Sequence, residues 1–222
     1  MTAASPKPST SSAEAPDPAP RPRTMSREAR REQIIEATIR TLAARGFART
    51  TLTEVAREAG LSHGLVLFHF ETKEKLLADT LGALAEEYRD NWQAALASAG
   101  PTAAEQLSAL IDADFAPNLC TPDRLAAWCA FWGEAQSRPI YQENYGDKDA
   151  AYNARMEEIC AELVAEGGYT AAPKYLARIL RLTIEGTWLD LMSMKDPYDA
   201  AEAQRTARIC ASILFPKHFK AE

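Results

Sequence analysis

Residues 46–77 read GFARTTLTEVAREAGLSHGLVLFHFETKEKLL. Thr51 stands where a helix wants an N-cap, Glu54 follows three residues later, and Leu52, Val55, Ala56 and Ala59 share one helical face before Gly60 stops the run. Ser62 caps a third helix that reaches about Phe70, and Thr72 caps a fourth that begins at Lys73 and runs to about Ala99. The connection AGLS is short, and Gly60 supplies the left-handed backbone such a turn needs. Upstream, Ser26 caps a helix whose stripe of Ile34, Ile35, Thr38, Ile39 and Leu42 ends at Gly46. Three helices around one tight turn make a helix-turn-helix. Leu61, Val66 and Phe70 then point inward, leaving His63, Gly64, Leu65, Leu67 and Phe68 outward and His69 at the edge.

The rest of the chain is helical as well. Gly100 and Pro101 interrupt it, and helices are expected over 102–116, 122–136, 140–166, 172–195 and 199–214, with prolines at starts and junctions. No alternating β-branched run argues for a strand, so the fold class is all-α. Residues 1–25 hold six of the thirteen prolines and almost no large apolar side chain, which predicts a disordered tail. The expected domains are that tail, a DNA-binding unit over 26–72, and a helical ligand-binding and dimerisation unit over 73–222.

Composition narrows the function. No apolar run approaches a membrane span and the N-terminus lacks a signal-peptide core, so the expected location is the cytoplasm, without membrane contact. The four cysteines lie far apart, which points to free thiols rather than disulfides or a metal site. The three histidines form no zinc-protease signature, and neither a nucleophile elbow nor a glycine-rich phosphate loop occurs. No catalysis, cofactor or metal is expected. A helical interaction scaffold or a small helical enzyme would account for the amphipathic helices, but not for the pattern at 46–77.

That pattern resembles the DNA-binding domain of the TetR family of bacterial transcriptional regulators. The resemblance covers residues 26–77. It rests on the glycine-aromatic opening, the threonine pair before the second helix, the A-x-x-A-G-x-S-x-G turn and the closing HF-x-x-K-x-x-LL. Leu67 departs from it, because many members carry a backbone-contacting tyrosine there. Farther on, AAWCAFWGEAQSRPIY and TIEGTWLDLM resemble the C-terminal domain of the BetI-type subgroup, whose namesake is a repressor responding to choline. The resemblance implies a homodimeric repressor that binds a palindromic operator and is released by a small molecule.

Charge raises a question, since the chain carries a net −6 and the third helix has no lysine or arginine. The balance is +3 over residues 1–75 and −9 over 76–222, which suits a polyanion-binding end on an acidic body. Phosphate contacts are expected from Arg27, Arg30, Thr50, Thr51, His69 and Lys73. Base reading falls to Thr53, His63, Gly64, Leu65, Leu67 and Phe68, whose apolar members can pack on thymine methyl groups.

Six of the eighteen aromatics fall in residues 128–152: Trp128, Phe131, Trp132, Tyr141, Tyr145 and Tyr152. Trp128, Phe131, Trp132, Tyr141, Tyr145 and Trp188, with carboxylates Glu134 and Asp190, are the expected lining of an effector pocket. Aromatic faces beside a carboxylate suit a quaternary ammonium or another organic cation. In the helix over 172–195, Tyr175, Ile179, Leu182, Gly186 and Leu189 form one stripe, and Leu176, Leu180, Thr183, Thr187 and Leu191 form a second. One stripe is expected to face the chain's own core and the other, with Ile209, Ile213 and Leu214, a second copy.

Overall fold

The computed structural model describes residues 1–2, 25–134, 140–196 and 198–220, with side chains omitted over 140–149. The expected disordered tail over residues 1–25 lies almost wholly outside the described residues. Among the described residues nine helices run in the order α1 (Arg27–Arg49), α2 (Leu52–Ala59), α3 (His63–Phe70), α4 (Lys73–Ser98), α5 (Ala103–Asp114), α6 (Pro122–Trp132), α7 (Ile140–Gly167), α8 (Pro173–Ser193) and α9 (Ala200–Leu214). No strand occurs among the described residues, and no described helix is long and apolar enough to cross a membrane.

Local chemistry sets the ends. Ser26, Thr51, Ser62 and Thr72 each accept a hydrogen bond from the backbone N–H three residues on, so all four expected caps form. The reciprocal half of the box at Thr51 does not, because the Glu54 carboxylate pairs with Arg45 and Arg57 instead. A complete box closes α5, where Thr102 and Glu105 cap each other. Gly60 takes φ 67° and ψ 32°, the left-handed cap the turn requires. Gly46 (φ 74°, ψ 171°) kinks α1 rather than ending it, and one more turn carries Phe47 inward.

Apolar packing falls into three linked clusters. Ile34, Val55, Val66, Phe70 and Leu76 close the head formed by α1–α3 and the start of α4. Ile39, Leu42 and Phe47 of α1 meet Leu77, Leu81 and Leu84 of α4 and Trp128 and Phe131 of α6 in a joint. The body core is built from α5, α7, α8 and α9 around Leu107, Ile159, Leu180 and Phe215. Ile35 touches both head and joint, while Tyr88 and Trp132 touch both joint and body. On α8 the second stripe turns inward, with Leu180 fully buried, and the first stays exposed. All four cysteines are free.

Backbone conformation yields a paired test. Gly60→Ala puts a Cβ on a left-handed residue and is expected to destabilise the fold by about 1–2 kcal/mol. Glu71 ends α3 at φ 63° and ψ −50°, a region a side chain disfavours, so Glu71→Gly is expected to stabilise by roughly 1 kcal/mol. Urea unfolding of both variants reads the opposite signs, and equal signs would show that neither turn is governed by backbone strain.

Candidate functional site

The outer face of α3 is open. His63, Gly64, Leu67 and Phe68 are exposed, Phe68 at 69%, while Val66 and Phe70 anchor the opposite face in the head core. Leu65 is half-buried, and Thr51 and Thr53 are exposed at the start of α2. Gly64 is informative. A Cβ built there meets nothing within 4 Å, and its backbone is not left-handed. Neither packing nor backbone strain calls for glycine in this helix, where it costs stability relative to alanine. What glycine leaves is room for another molecule to approach the backbone.

The candidate phosphate contacts divide. Arg27 is exposed, and Arg30 is half-buried with its guanidinium on Gln33 at 2.6 Å. The Lys73 ammonium donates to the carbonyls of Phe47 and Ala48 at 3.1 and 3.4 Å, tying the start of α4 to the end of α1. Two expectations are corrected. Thr50 is buried and its hydroxyl donates to the Gly46 carbonyl at 2.9 Å, so it closes the kink instead of facing DNA. His69 is buried beneath Phe68, edge-on at 5.4 Å, with Nδ1 lacking a partner among the described residues. Its pKa falls below the usual value, first through burial and then through Arg27, Arg31 and Arg30. A buried neutral imidazole makes no phosphate contact. Arg49 and Arg57 add exposed positive charges to the head that the sequence pattern did not separate from ordinary surface residues.

The aromatic residues also divide. Trp128 and Phe131 pack in the joint, Phe131 edge-on to Phe47 with ring centroids 5.9 Å apart, so they help hold head to body. Trp132 is half-buried and stacks on Trp188 with centroids 6.5 Å apart and planes 8° from parallel. Tyr141 and Tyr145 lie outside the residues whose side chains are described. Glu134 is half-buried just beyond α6. Asp190 is exposed and accepts from the Tyr198 hydroxyl at 3.1 Å, so it is not the carboxylate that faces the rings.

That carboxylate is Asp114, at the end of α5. It is fully buried, with one oxygen 2.7 Å from the Tyr88 hydroxyl, the other 2.5 Å from the Tyr152 hydroxyl, and its backbone carbonyl accepting from Trp188 Nε1 at 3.2 Å. Tyr88 touches both Tyr152 and Trp188, at 5.4 and 6.0 Å between centroids, and Trp92 stands edge-on to Tyr152 at 5.8 Å. Trp92 Nε1 is buried without a partner among the described residues. Among those residues no lysine, arginine or histidine pairs with Asp114. Burial raises its pKa to about 7, the two tyrosine hydroxyls offset part of that rise, and Glu185 adds to it.

The sequence carried a signal for Asp114. Leu107, Leu110, Ile111 and Asp114 stand at i, i+3, i+4 and i+7, so an acid occupies a position on an apolar stripe. A groove of about 620 Å³ opens beside this region, between Ala43 and Ala44 of α1 and Pro122 of α6. Cys120, Leu191 and Tyr198 line it and also pack on the body core.

Comparison with known proteins bears on both halves. Residues 34–80 match the family described as bacterial regulatory proteins, tetR family, and residues 103–214 match the BetI-type transcriptional repressor C-terminal family. The HTH-type transcriptional regulator BetI of Paraburkholderia xenovorans is 32% identical over 187 residues, 82% of this chain and 91% of that protein. A transcriptional regulator from Pseudomonas aeruginosa superposes with TM-score 0.74 at 26% identity, covering 87% of this chain and 94% of the other. Another, from Saccharomonospora viridis in complex with choline, superposes with TM-score 0.70 at 22% identity, covering 81% and 94%.

Two outcomes follow from these placements. Gly64→Ala is expected to stabilise the fold by ~0.5–1 kcal/mol while weakening DNA binding about tenfold, read by urea unfolding and fluorescence anisotropy on one preparation. Gains or losses in both would mean that Gly64 serves the fold alone. Asp114 binds its proton more tightly folded than unfolded, its pKa rising from 3.8 to about 7. Its contribution is therefore harmless below about pH 4, is lost as pH rises toward about 7, and costs on the order of 4 kcal/mol above that. Asp114→Asn should flatten this part of the stability profile, and an unchanged profile would place the titration elsewhere.

Proposed function

The chain belongs to the TetR family of bacterial regulatory proteins, with a BetI-type C-terminal domain, and on that premise we propose what it reads and what releases it. It is a DNA-binding transcriptional regulator, not an enzyme. In the proposed reading, a cytoplasmic homodimer represses by holding an inverted-repeat operator, and an organic cation of the quaternary ammonium class releases it.

One observation carries the choice of effector: a fully buried carboxylate, Asp114, stands among Tyr88, Tyr152 and Trp188 with no basic residue paired to it among the described residues. Ring faces attract a cation through their quadrupoles, and a desolvated carboxylate attracts it more strongly still. The groove between α1 and the body lies beside this cluster, with Cys120 in its lining. Choline in the related Saccharomonospora structure is a compound of this class.

Support for the dimer comes from α8 and α9. Tyr175, Ile179, Leu182, Leu189, Ile209 and Ile213 are all exposed, between 41% and 71%, a row of large apolar side chains too continuous for bare water. Gly186 lies on the same stripe with open space where a Cβ would stand, so a second helix can approach closely. A two-fold pairing of this face presents two copies of α3, and each needs its own half-site. His63, Gly64, Leu65, Leu67, Phe68 and Thr53 read bases, while Arg27, Arg30, Thr51 and Lys73 position the backbone.

Coupling runs through shared packing. α4 spans roughly 40 Å, giving Leu77, Leu81 and Leu84 to the joint and Tyr88 to Asp114. α6 is a second link, because Arg124 binds Glu36 of α1 at 3.0 Å and Glu87 of α4 at 2.9 Å. An effector that shifts Tyr88, Trp188 or Trp132 thus moves the underside of the head.

The test uses the full-length dimer on the DNA upstream of its own gene. Sedimentation is expected to show a dimer at micromolar concentration, and saturating choline to weaken operator binding by roughly 5–150-fold. Trp188→Ala should blunt that response and spare binding without effector. Release by the neutral isostere of choline, with tert-butyl in place of trimethylammonium, and not by choline itself would overturn the cationic assignment.

A further inference from the structure

We infer that a cationic effector and a proton compete for the Asp114 carboxyl, so that each effector bound expels one proton and the regulator's response to its effector depends on pH. The inference rests on the reading of the cluster as a cation site and goes beyond it by fixing the state of the site before the effector arrives.

Groups from several helices face Asp114. α4 presents the Tyr88 hydroxyl and α7 the Tyr152 hydroxyl, each within hydrogen-bond distance of a different carboxyl oxygen. α8 presents the Trp188 indole, bonded to the backbone carbonyl, and Glu185, whose carboxylate is bridged by Arg181 and still disfavours a second negative charge at Asp114. The segment after α5 presents Cys120, a thiol whose pKa is raised by burial and by Asp114. From α9, Arg208 and Gln204 bind the exposed Asp112 instead. Among the described residues, the full charge that bears on Asp114, that of Glu185, has the same sign as its own.

An unpaired carboxylate in such a place costs several kcal/mol, and the smallest charge that cancels it is a proton. Two hydroxyl donors recover only part of that cost, so the carboxyl titrates at about 7 instead of 3.8. Protonation does not break the ring of contacts. A neutral acid donates its own O–H, and one tyrosine hydroxyl turns from donor to acceptor. The ligand-free site thus exists in two forms of nearly equal free energy close to neutral pH, differing by one proton and one reversed hydrogen bond.

A quaternary ammonium ion supplies the missing positive charge without donating a hydrogen bond. Binding then reads as neutral acid plus cation giving carboxylate–cation pair plus a proton released to solvent, which balances in atoms and in charge. Both tyrosine hydroxyls return to donating. Cation affinity should therefore fall about tenfold for each pH unit below about 7 and level off above about 8.

Two measurements on the full-length dimer test this. Calorimetric titration with choline in buffers of different ionisation enthalpy is expected to show nearly one proton released per choline at about pH 6 and almost none at about pH 9. A carboxyl-carbon NMR titration of the ligand-free protein, assigned by comparison with Asp114→Asn, is expected to show one carboxyl with a midpoint near neutrality. Choline binding with constant affinity and no proton release would overturn the competition and leave the cation site standing. An Asp114 midpoint in the ordinary carboxylate range would overturn it without any ligand. Absence of binding by choline and tetramethylammonium at every pH, beside a near-neutral midpoint, would remove the cation site itself and the competition with it.

Discussion

Phe47 meets Phe131 edge-on at 5.9 Å, and around that contact the DNA-reading head and the body share one apolar joint. Phe47 reaches it because Gly46 bends α1 at a backbone conformation few other residues accept. Thr50 closes the bend from one side, and Lys73 holds its last carbonyls from the other. Deleting buried ring volume of this kind costs about 3–5 kcal/mol in comparable cores. Stability and communication thus depend on the same side chains. Without the joint, α3 would sit on a head free to move independently of whatever occupies the body.

Much of this was legible in the sequence, and the physical reason differs from place to place. Caps and turns are local, so Ser26, Thr51, Ser62, Thr72 and Gly60 could be read from their own neighbours. The two stripes of α8 were legible because a helix apolar on two faces needs two partners, and the structure leaves the Tyr175–Leu189 face exposed. That Trp128 and Phe131 join the head to the body was not legible, for a reason periodicity cannot mend. Spacing shows that a side chain is buried, not which of several cores buries it. Asp190 was chosen for standing near a tryptophan in sequence, yet on α8 it lies two residues from Trp188 and so points elsewhere. Asp114 was missed although an acid on an apolar stripe is a strong local conflict, and such conflicts gather where function departs from folding.

The aromatic cluster accounts for how a small ligand could matter at a distance. Tyr88 and Trp132 each belong to both joint and body. Tyr88 binds Asp114 directly, and Trp132 stacks on the ring that bonds its backbone carbonyl. Close-packed side chains have few alternative arrangements, so a displacement at Asp114 is passed on rather than absorbed. Arg124 adds a polar counterpart, since one guanidinium joins α6 to both α1 and α4. A ligand need only prefer one arrangement of these groups over the other by a few kcal/mol to change which form of the head prevails.

The same separation of tasks explains an acidic protein that reads DNA. Charge neutralisation governs affinity and its salt dependence, while base edges are told apart by shape and hydrogen bonding. On α3 the exposed positions are His63, Gly64, Leu67 and Phe68, with no lysine or arginine among them. Such a helix contributes little to sequence-blind attraction and can contribute to discrimination, because the thymine methyl is an apolar target in the major groove. Exposed cations of the head stand elsewhere, at Arg27, Arg49 and Arg57. The −9 of residues 76–222 belongs to α4 and the body, and its repulsion from phosphate is screened over about 8–10 Å at ordinary ionic strength. Screening over that range leaves an acidic body compatible with a head that binds DNA.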